Sequence, residues 1–208
     1  MKKLYLLRHG QTEFNVKKLV QGRCDSPLTD LGRKQAGMAA AWLKAHGVVP
    51  DKVVSSPLGR AMDTAQLVAS ELLGPDAAVE PCEGIIERCY GSFEEGPHDA
   101  LPTDVWDPGE DLVPYGGEGS RALQARMVAT LSNLMSAKDT ETLLAVSHGS
   151  ASRQFIKAAA PEGFELPAKL PNCAIIIFDF DEAKLQAEGE PMQCKFTLQQ
   201  IVDPQQGY

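Results

Sequence analysis

The chain predicts an α/β protein built on a mainly parallel sheet, and three observations lead there. Short apolar runs at Leu4–Leu7, Lys52–Ser55 and Thr142–Ser147 read as strands, the first and last buried on both faces. Each is followed by a stretch whose apolar residues recur at helical spacing, and the alternation of strand and helix favours parallel pairing. Two of the strands stop in the same dipeptide, His9-Gly10 and His148-Gly149.

Taken in order, the first strand ends in Arg8-His9-Gly10 and gives way to a polar loop through Gln21-Gly22-Arg23-Cys24-Asp25-Ser26-Pro27. Thr29 is an N-cap type, and the helix it opens should run to about His46, with Gly47 as its stop. Ala36, Ala39, Ala40 and Leu43 form the buried stripe of that helix. After the second strand, Ser56-Pro57 reads as the cap and first position of a helix that carries Arg60 in its opening turn and ends at Gly74-Pro75. Ala77–Glu80 is a short third strand, and Gly84–Tyr90 follows with Glu87 at its centre.

From Gly91 to Gly119, four prolines and six glycines break every apolar run, which marks a lid-like insertion with a short helix near Pro102–Trp106. Ser120 reads as the cap of a helix with Leu123, Met127, Leu131 and Leu134 on one face. A helix runs from Gly149 to about Ala159, Cys173–Phe180 is a further apolar strand, and Lys195–Gln200 alternates as an edge or antiparallel strand does. Asp203–Tyr208 is polar and is expected to fray.

Composition narrows the function classes. With 43% hydrophobic and 23% charged residues among 208, the chain is of ordinary globular type and long enough for one substantial domain, residues 1–208. A net charge of -8 and a pI near 5.0 exclude general affinity for nucleic acid or anionic membranes. The five cysteines are odd in number and contain no Cys-x-x-Cys, so no zinc site is expected and a reduced, cytoplasmic setting is the simplest reading. The apolar stretch after Met1-Lys2-Lys3 is too short for a signal peptide, and no run approaches membrane-spanning length.

The chemistry sits at the strand ends. Carboxyl ends of parallel strands are where open α/β sheets place ligand crevices, so His9 and His148 are expected to share one. Arginine offers a planar donor fork for phosphate or carboxylate, and histidine serves as nucleophile, acid or base. Arg60, in a first helical turn, adds a third cationic group where free N–H groups also favour an anion.

Several separated stretches together resemble the histidine phosphatase superfamily, the phosphoglycerate mutase-like group. They are Leu7-Arg8-His9-Gly10-Gln11-Thr12-Glu13-Phe14-Asn15, Gly22–Thr29 with Gly32 and Gln35-Ala36, Ser55–Ala65, and Val146-Ser147-His148-Gly149, covering about residues 3–160 in the right order. The resemblance implies a three-layer α/β/α sandwich whose mostly parallel central sheet has one antiparallel strand. It also implies that His9 takes the phosphoryl group as a phosphohistidine, that Arg8, Arg60 and His148 hold the phosphate oxygens with Asn15 as a further donor, and that Glu87 protonates the leaving alkoxide. Gln21, Gly22 and Gly149 join the substrate-binding set on the same ground. No metal and no cofactor is implied, because the arginines serve as the charge clamp.

The functional expectation is therefore a metal-independent phosphomonoester hydrolase acting on a small phosphorylated metabolite and releasing inorganic phosphate. A phosphoglycerate mutase is the alternative, and a non-catalytic phosphate-binding module the third reading. Phe93–Tyr115 holds no lysine or arginine but seven acidic residues, which favours an organic moiety that is not strongly anionic. Trp106 and Tyr115 are its candidate aromatic contacts. Neither the natural substrate nor the oligomeric state, a homodimer included, is fixed by the residues.

Overall fold

The computed structural model describes residues 1–161, 163–183 and 195–206; Cys194 and residues 207–208 lie outside them. Among the described residues, six strands form one sheet: β1 (Lys2–Arg8), β2 (Lys52–Ser55), β3 (Glu80–Pro81), β4 (Thr142–Ser147), β5 (Ile175–Phe180) and β6 (Phe196–Val202). Their order is β3-β2-β4-β1-β5-β6. β1, β4, β2 and β3 pair in parallel, β5 pairs antiparallel to β1, and β6 pairs antiparallel to β5. The one strand that opposes the rest is therefore β5, and the 195–200 region supplies the edge.

Helices α2 (Asp30–Ala45) and α3 (Gly59–Leu73) cover one face, and α4 (Ser120–Met135) and α5 (Gly149–Ala159) the other; α1 (Glu13–Lys17) is a short turn after β1. The period of two in a strand divides each apolar run between the two layers. Leu4, Leu6, Leu143 and Ala145 face α4 and α5, while Leu7, Leu144 and Val146 face α2 and α3. Burial on both faces is why these strands read as continuous apolar runs rather than alternating ones.

Helix α2 starts where its sequence says, with the Thr29 hydroxyl accepting the Gly32 N–H at 3.0 Å. Two other starts are corrected. Ser56 does not cap α3, whose N-cap is Leu58; the carboxylate of Asp25, from a distant loop, takes the Gly59 N–H at 2.6 Å and the Arg60 N–H at 3.3 Å. Ser120 is the first residue of α4 rather than its cap, and Glu110 accepts the Arg121 N–H at 2.9 Å. In both cases a carboxylate brought by tertiary structure replaces the local serine, a choice invisible to local pattern. The third strand is also shorter than expected and lies later, at Glu80–Pro81.

Residues 91–119 contain no α-helix; their helical pieces are 3-10 turns at Gly91–Phe93, His98–Ala100 and Val113–Tyr115, and Pro97 forms an isolated bridge with Leu19. The helix expected near Pro102–Trp106 is absent, because the Asp104 carboxylate accepts the Trp106 N–H at 3.0 Å and closes a local turn instead. The segment packs around a small apolar centre of Val20, Tyr90, Leu101 and Leu112. Buried Arg88 anchors it: its guanidinium donates to Gly109 O, Glu118 O and Ser120 Oγ on one side and to Ser150 Oγ of α5 on the other.

The tail is tied down rather than frayed through Gln206. A 3-10 turn at Pro204–Gln206 places Gln205 so that it accepts from Gln35 Nε2 at 2.8 Å and donates to Asn172 O at 3.0 Å.

Candidate active site

Register brings the two histidines together. β1 and β4 are adjacent and parallel, Arg8 pairs with Ser147, and the His9 N–H donates to Ser147 O at 3.0 Å. His9 and His148 each stand one residue beyond that pair. Their ring centroids are 5.2 Å apart, and both side chains are buried. β2 flanks β4 on the other side and ends at Ser55; the next residue, Ser56, donates its N–H to Val146 O.

His9 Nδ1 lies 2.7 Å from Gly10 O. A carbonyl only accepts, so Nδ1 carries the proton and Nε2 is left as the free lone pair. Burial, with the Arg60 and Arg8 charges adding to it, holds the His9 pKa well below its usual 6.5, and the imidazole is neutral. His148 is held low in the same way, by burial first and then by Arg60, His9 and Arg8.

The turn that presents His9 depends on two glycines. A Cβ at Gly10 would stand 2.5 Å from Gly32 O, and one at Gly32 would stand 2.1 Å from Gln11 O. The close approach at Gly10 is thus to the first turn of α2.

Both arginines are buried and braced by backbone carbonyls. Arg60 donates to Gly22 O and Cys24 O, each at 2.7 Å, and Arg8 donates to Leu170 O. Burial draws the Arg8 pKa down to about 10 against the opposing pull of Glu87, so both guanidinium groups stay charged near neutrality. Arg8 Nε, Arg60 Nε and His148 Nδ1 are buried and have no hydrogen-bond partner among the described residues. Three orphaned nitrogens in one electrostatically coupled cluster suit a shared oxyanion.

Glu87 is buried and fixed at the N-terminus of α5. Its carboxylate accepts Arg88 N–H at 2.8 Å, Ala151 N–H at 2.9 Å and Ser150 N–H at 3.2 Å. The pairing with Arg88 that neighbouring charges suggest does not form through the side chains; Arg88 turns to the 109–120 segment.

Arg8, His9, Asn15, Gln21, Gly22, Arg60, Glu87 and Gly149 line one cavity of about 50 Å3. His148 is not among the lining residues; its ring lies beside that of His9. Gly22 takes a left-handed φ of 51°, and a Cβ there would overlap the Glu94 carboxylate. Asn15 and Gln21 hold the loop: Asn15 Oδ1 accepts Thr12 N–H at 3.1 Å, and Gln21 Oε1 accepts the Thr12 hydroxyl at 2.9 Å. Asn172, missed in the sequence, donates to both His9 O and Asn15 Oδ1.

The cavity is walled by Tyr90, His98, Val105 and Trp106. Trp106 lies over Arg8, with Cζ 5.2 Å from the ring centroid, and Lys169 Nζ lies 5.7 Å from the same ring. Tyr115 is not at the cavity; it is exposed and packs edge-on to Phe93. Several acidic groups of the segment are also spent elsewhere. Asp107 pairs with Lys157, Glu94 accepts from Arg23 N–H and Tyr90 N–H, and Glu110 caps α4. None of the seven lines the cavity, so the repulsion read from composition is not built into the wall. Among the described residues, no cluster of three or more His, Cys, Asp or Glu side chains could hold a metal ion.

Fold and site define a class: an α/β/α protein that gathers two neutral imidazoles, two guanidinium groups and one carboxyl group at one site, all but His148 lining a small crevice. A family model, the histidine phosphatase superfamily (branch 1), matches residues 4–189, and the chain belongs to that family. A probable phosphoglycerate mutase GpmB of Proteus mirabilis is 29% identical over 98% of this chain and 96% of its own length. A phosphoserine phosphatase variant of Entamoeba histolytica, solved in complex with phosphoserine, is 26% identical, with a TM-score of 0.73 over 99% of this chain and 98% of that one. A phosphoglycerate mutase of Bacillus anthracis superposes with a TM-score of 0.79 over 98% of this chain and 94% of that one; at 19% identity it speaks for the fold alone.

Proposed function

We propose that the chain is a single-domain, metal-independent phosphatase that hydrolyses a small phosphomonoester through a phosphohistidine on His9, with residues 91–119 as its lid. The observation that carries this is the His9 geometry. Gly10 O holds the Nδ1 proton, and Nε2 is left neutral and nucleophilic beside two guanidinium groups.

In the first step His9 Nε2 attacks phosphorus and the P–O bond to the alcohol breaks. Arg8, Arg60 and His148 meet the charge on the equatorial oxygens, where fixed donors lower the barrier. Glu87, which must enter this step protonated, gives its proton to the departing alkoxide and is left as the carboxylate. In the second step the Glu87 carboxylate takes a proton from water, the hydroxide attacks phosphorus, and the P–N bond breaks to release inorganic phosphate and restore His9.

Substrate size follows from the walls. About 50 Å3 is room for only a few waters by volume. A phosphoryl group fits there, so the organic part lies toward Trp106 and His98 or the lid opens for it. The solved phosphatase neighbour with phosphoserine supports a small substrate. Four described cysteines are free thiols, which supports a reduced, cytoplasmic setting.

The mutase reading draws on the name carried by curated relatives such as GpmB. A mutase must hold a second anionic group while the phosphoryl group returns from His9, and the lid supplies no lysine or arginine for it. Aryl phosphate hydrolysis tests the reading: purified protein should turn it over, and His9→Ala should lose about a thousandfold or more. Undiminished turnover in His9→Ala overturns the nucleophile. Rapid, primer-dependent conversion of 3-phosphoglycerate to 2-phosphoglycerate, outpacing hydrolysis, decides for the mutase.

A further inference from the structure

Ser56 is free of the capping role that its place before Pro57 suggests, yet it is fully buried and its hydroxyl is engaged. Its Oγ lies 2.7 Å from His148 Nε2 and accepts the Leu58 N–H at 3.4 Å. We propose that Ser56 is a positioning residue that sets the tautomer of His148, donating its hydroxyl proton to Nε2 so that Nδ1 carries the N–H offered to the transferring phosphoryl group. This rests on the phosphatase reading above.

A neutral imidazole has one proton for two nitrogens, and its neighbours decide where it goes. His148 is fully buried and stands among Arg8, Arg60 and His9, where burial and the two guanidinium charges keep it neutral. With the proton on Nε2 it would be spent on Ser56, and a bare lone pair at Nδ1 would confront a phosphoryl oxygen. With the proton on Nδ1, the orphaned nitrogen becomes a donor toward that oxygen. Ser56 can enforce the second arrangement because the Leu58 N–H occupies one lone pair of its oxygen and its own proton is free to rotate toward Nε2. The device mirrors His9, where Gly10 O fixes the opposite outcome: there Nδ1 bears the proton so that Nε2 can attack. Two imidazoles 5.2 Å apart thus receive complementary roles, one as lone-pair donor and one as N–H donor, from one hydrogen-bond partner each.

The test is nitrogen-15 NMR of imidazole-labelled protein with inorganic phosphate or vanadate bound, beside kinetics of Ser56→Ala and Ser56→Thr on an aryl phosphate. The wild type should show His148 as the Nδ1–H tautomer. Ser56→Ala should mix the tautomers and lower kcat by about 10- to 100-fold with little change in KM, the usual cost of losing an orienting partner. Ser56→Thr, which keeps the hydroxyl, should restore the tautomer and most of kcat. A wild-type His148 found as the Nε2–H tautomer overturns the proposal, and that spectrum decides even if Ser56→Ala fails to fold. Unchanged tautomer and kcat in a folded Ser56→Ala overturn it equally. Absence of any turnover in the wild type would count against the phosphatase reading, while the tautomer would still be read from the anion complex.

Discussion

The role proposed for His9 follows from what surrounds it. An exposed histidine would be largely protonated below pH 6.5, whereas burial beside two guanidinium groups keeps this one neutral. The rate profile should therefore show no acid inflection near 6.5 from His9; nitrogen-15 NMR that finds the His9 imidazole of the free protein protonating near 6.5 would contradict the assignment. Arg60 shows how the cation is held. Its fork is braced on Gly22 O and Cys24 O, and Lys cannot span both, so Arg60→Lys should lose about tenfold or more in kcat/KM while remaining folded. Arg8, His9, Arg60 and His148 were legible in the sequence because each follows a buried strand or opens a helix. Ser56, Asp25 and Asn172 were not, because their partners are 92, 34 and 163 residues away in the chain.

Elements deliver these side chains through backbone contacts that tolerate little. Gly32 lets the first turn of α2 press on the loop after His9, and Gly32→Ala would drive a Cβ to 2.1 Å from Gln11 O. That substitution should cost about 1–3 kcal/mol and depress kcat, as urea melts and assays would show. Asp25 stands where a local cap would be on α3; Asp25→Ala should lower stability by about 0.5–2 kcal/mol in urea melts. Strands and long helices were readable because burial on two faces and a 3.6-residue stripe leave strong patterns. The 91–119 segment was not, because its order comes from buried Arg88 and from carboxylates that bond distant backbone. Arg88→Met should leave the sheet intact yet raise amide exchange at 105–119; equal protection in both proteins would remove Arg88 as the anchor.

The whole chain pays for its two neutral imidazoles in acid. Unfolded, His9 and His148 titrate near 6.5; folded, both titrate far lower, so between those limits the unfolded chain binds more protons. Stability must then fall as pH drops below about 6.5, by up to about 1.4 kcal/mol per pH unit for each imidazole. Urea midpoints at pH 7.5 and 5.5 would show the loss, and a midpoint that rises on acidification would refute it. In the proposed mechanism, what joins sheet, helices and lid is a phosphoryl group carried transiently on His9. Rapid quenching of the enzyme with substrate, followed by phosphorus-31 NMR and peptide mapping, should find an acid-labile phosphoramidate on His9 before free phosphate accumulates. Steady turnover with no such adduct, or with the adduct on His148, would contradict it.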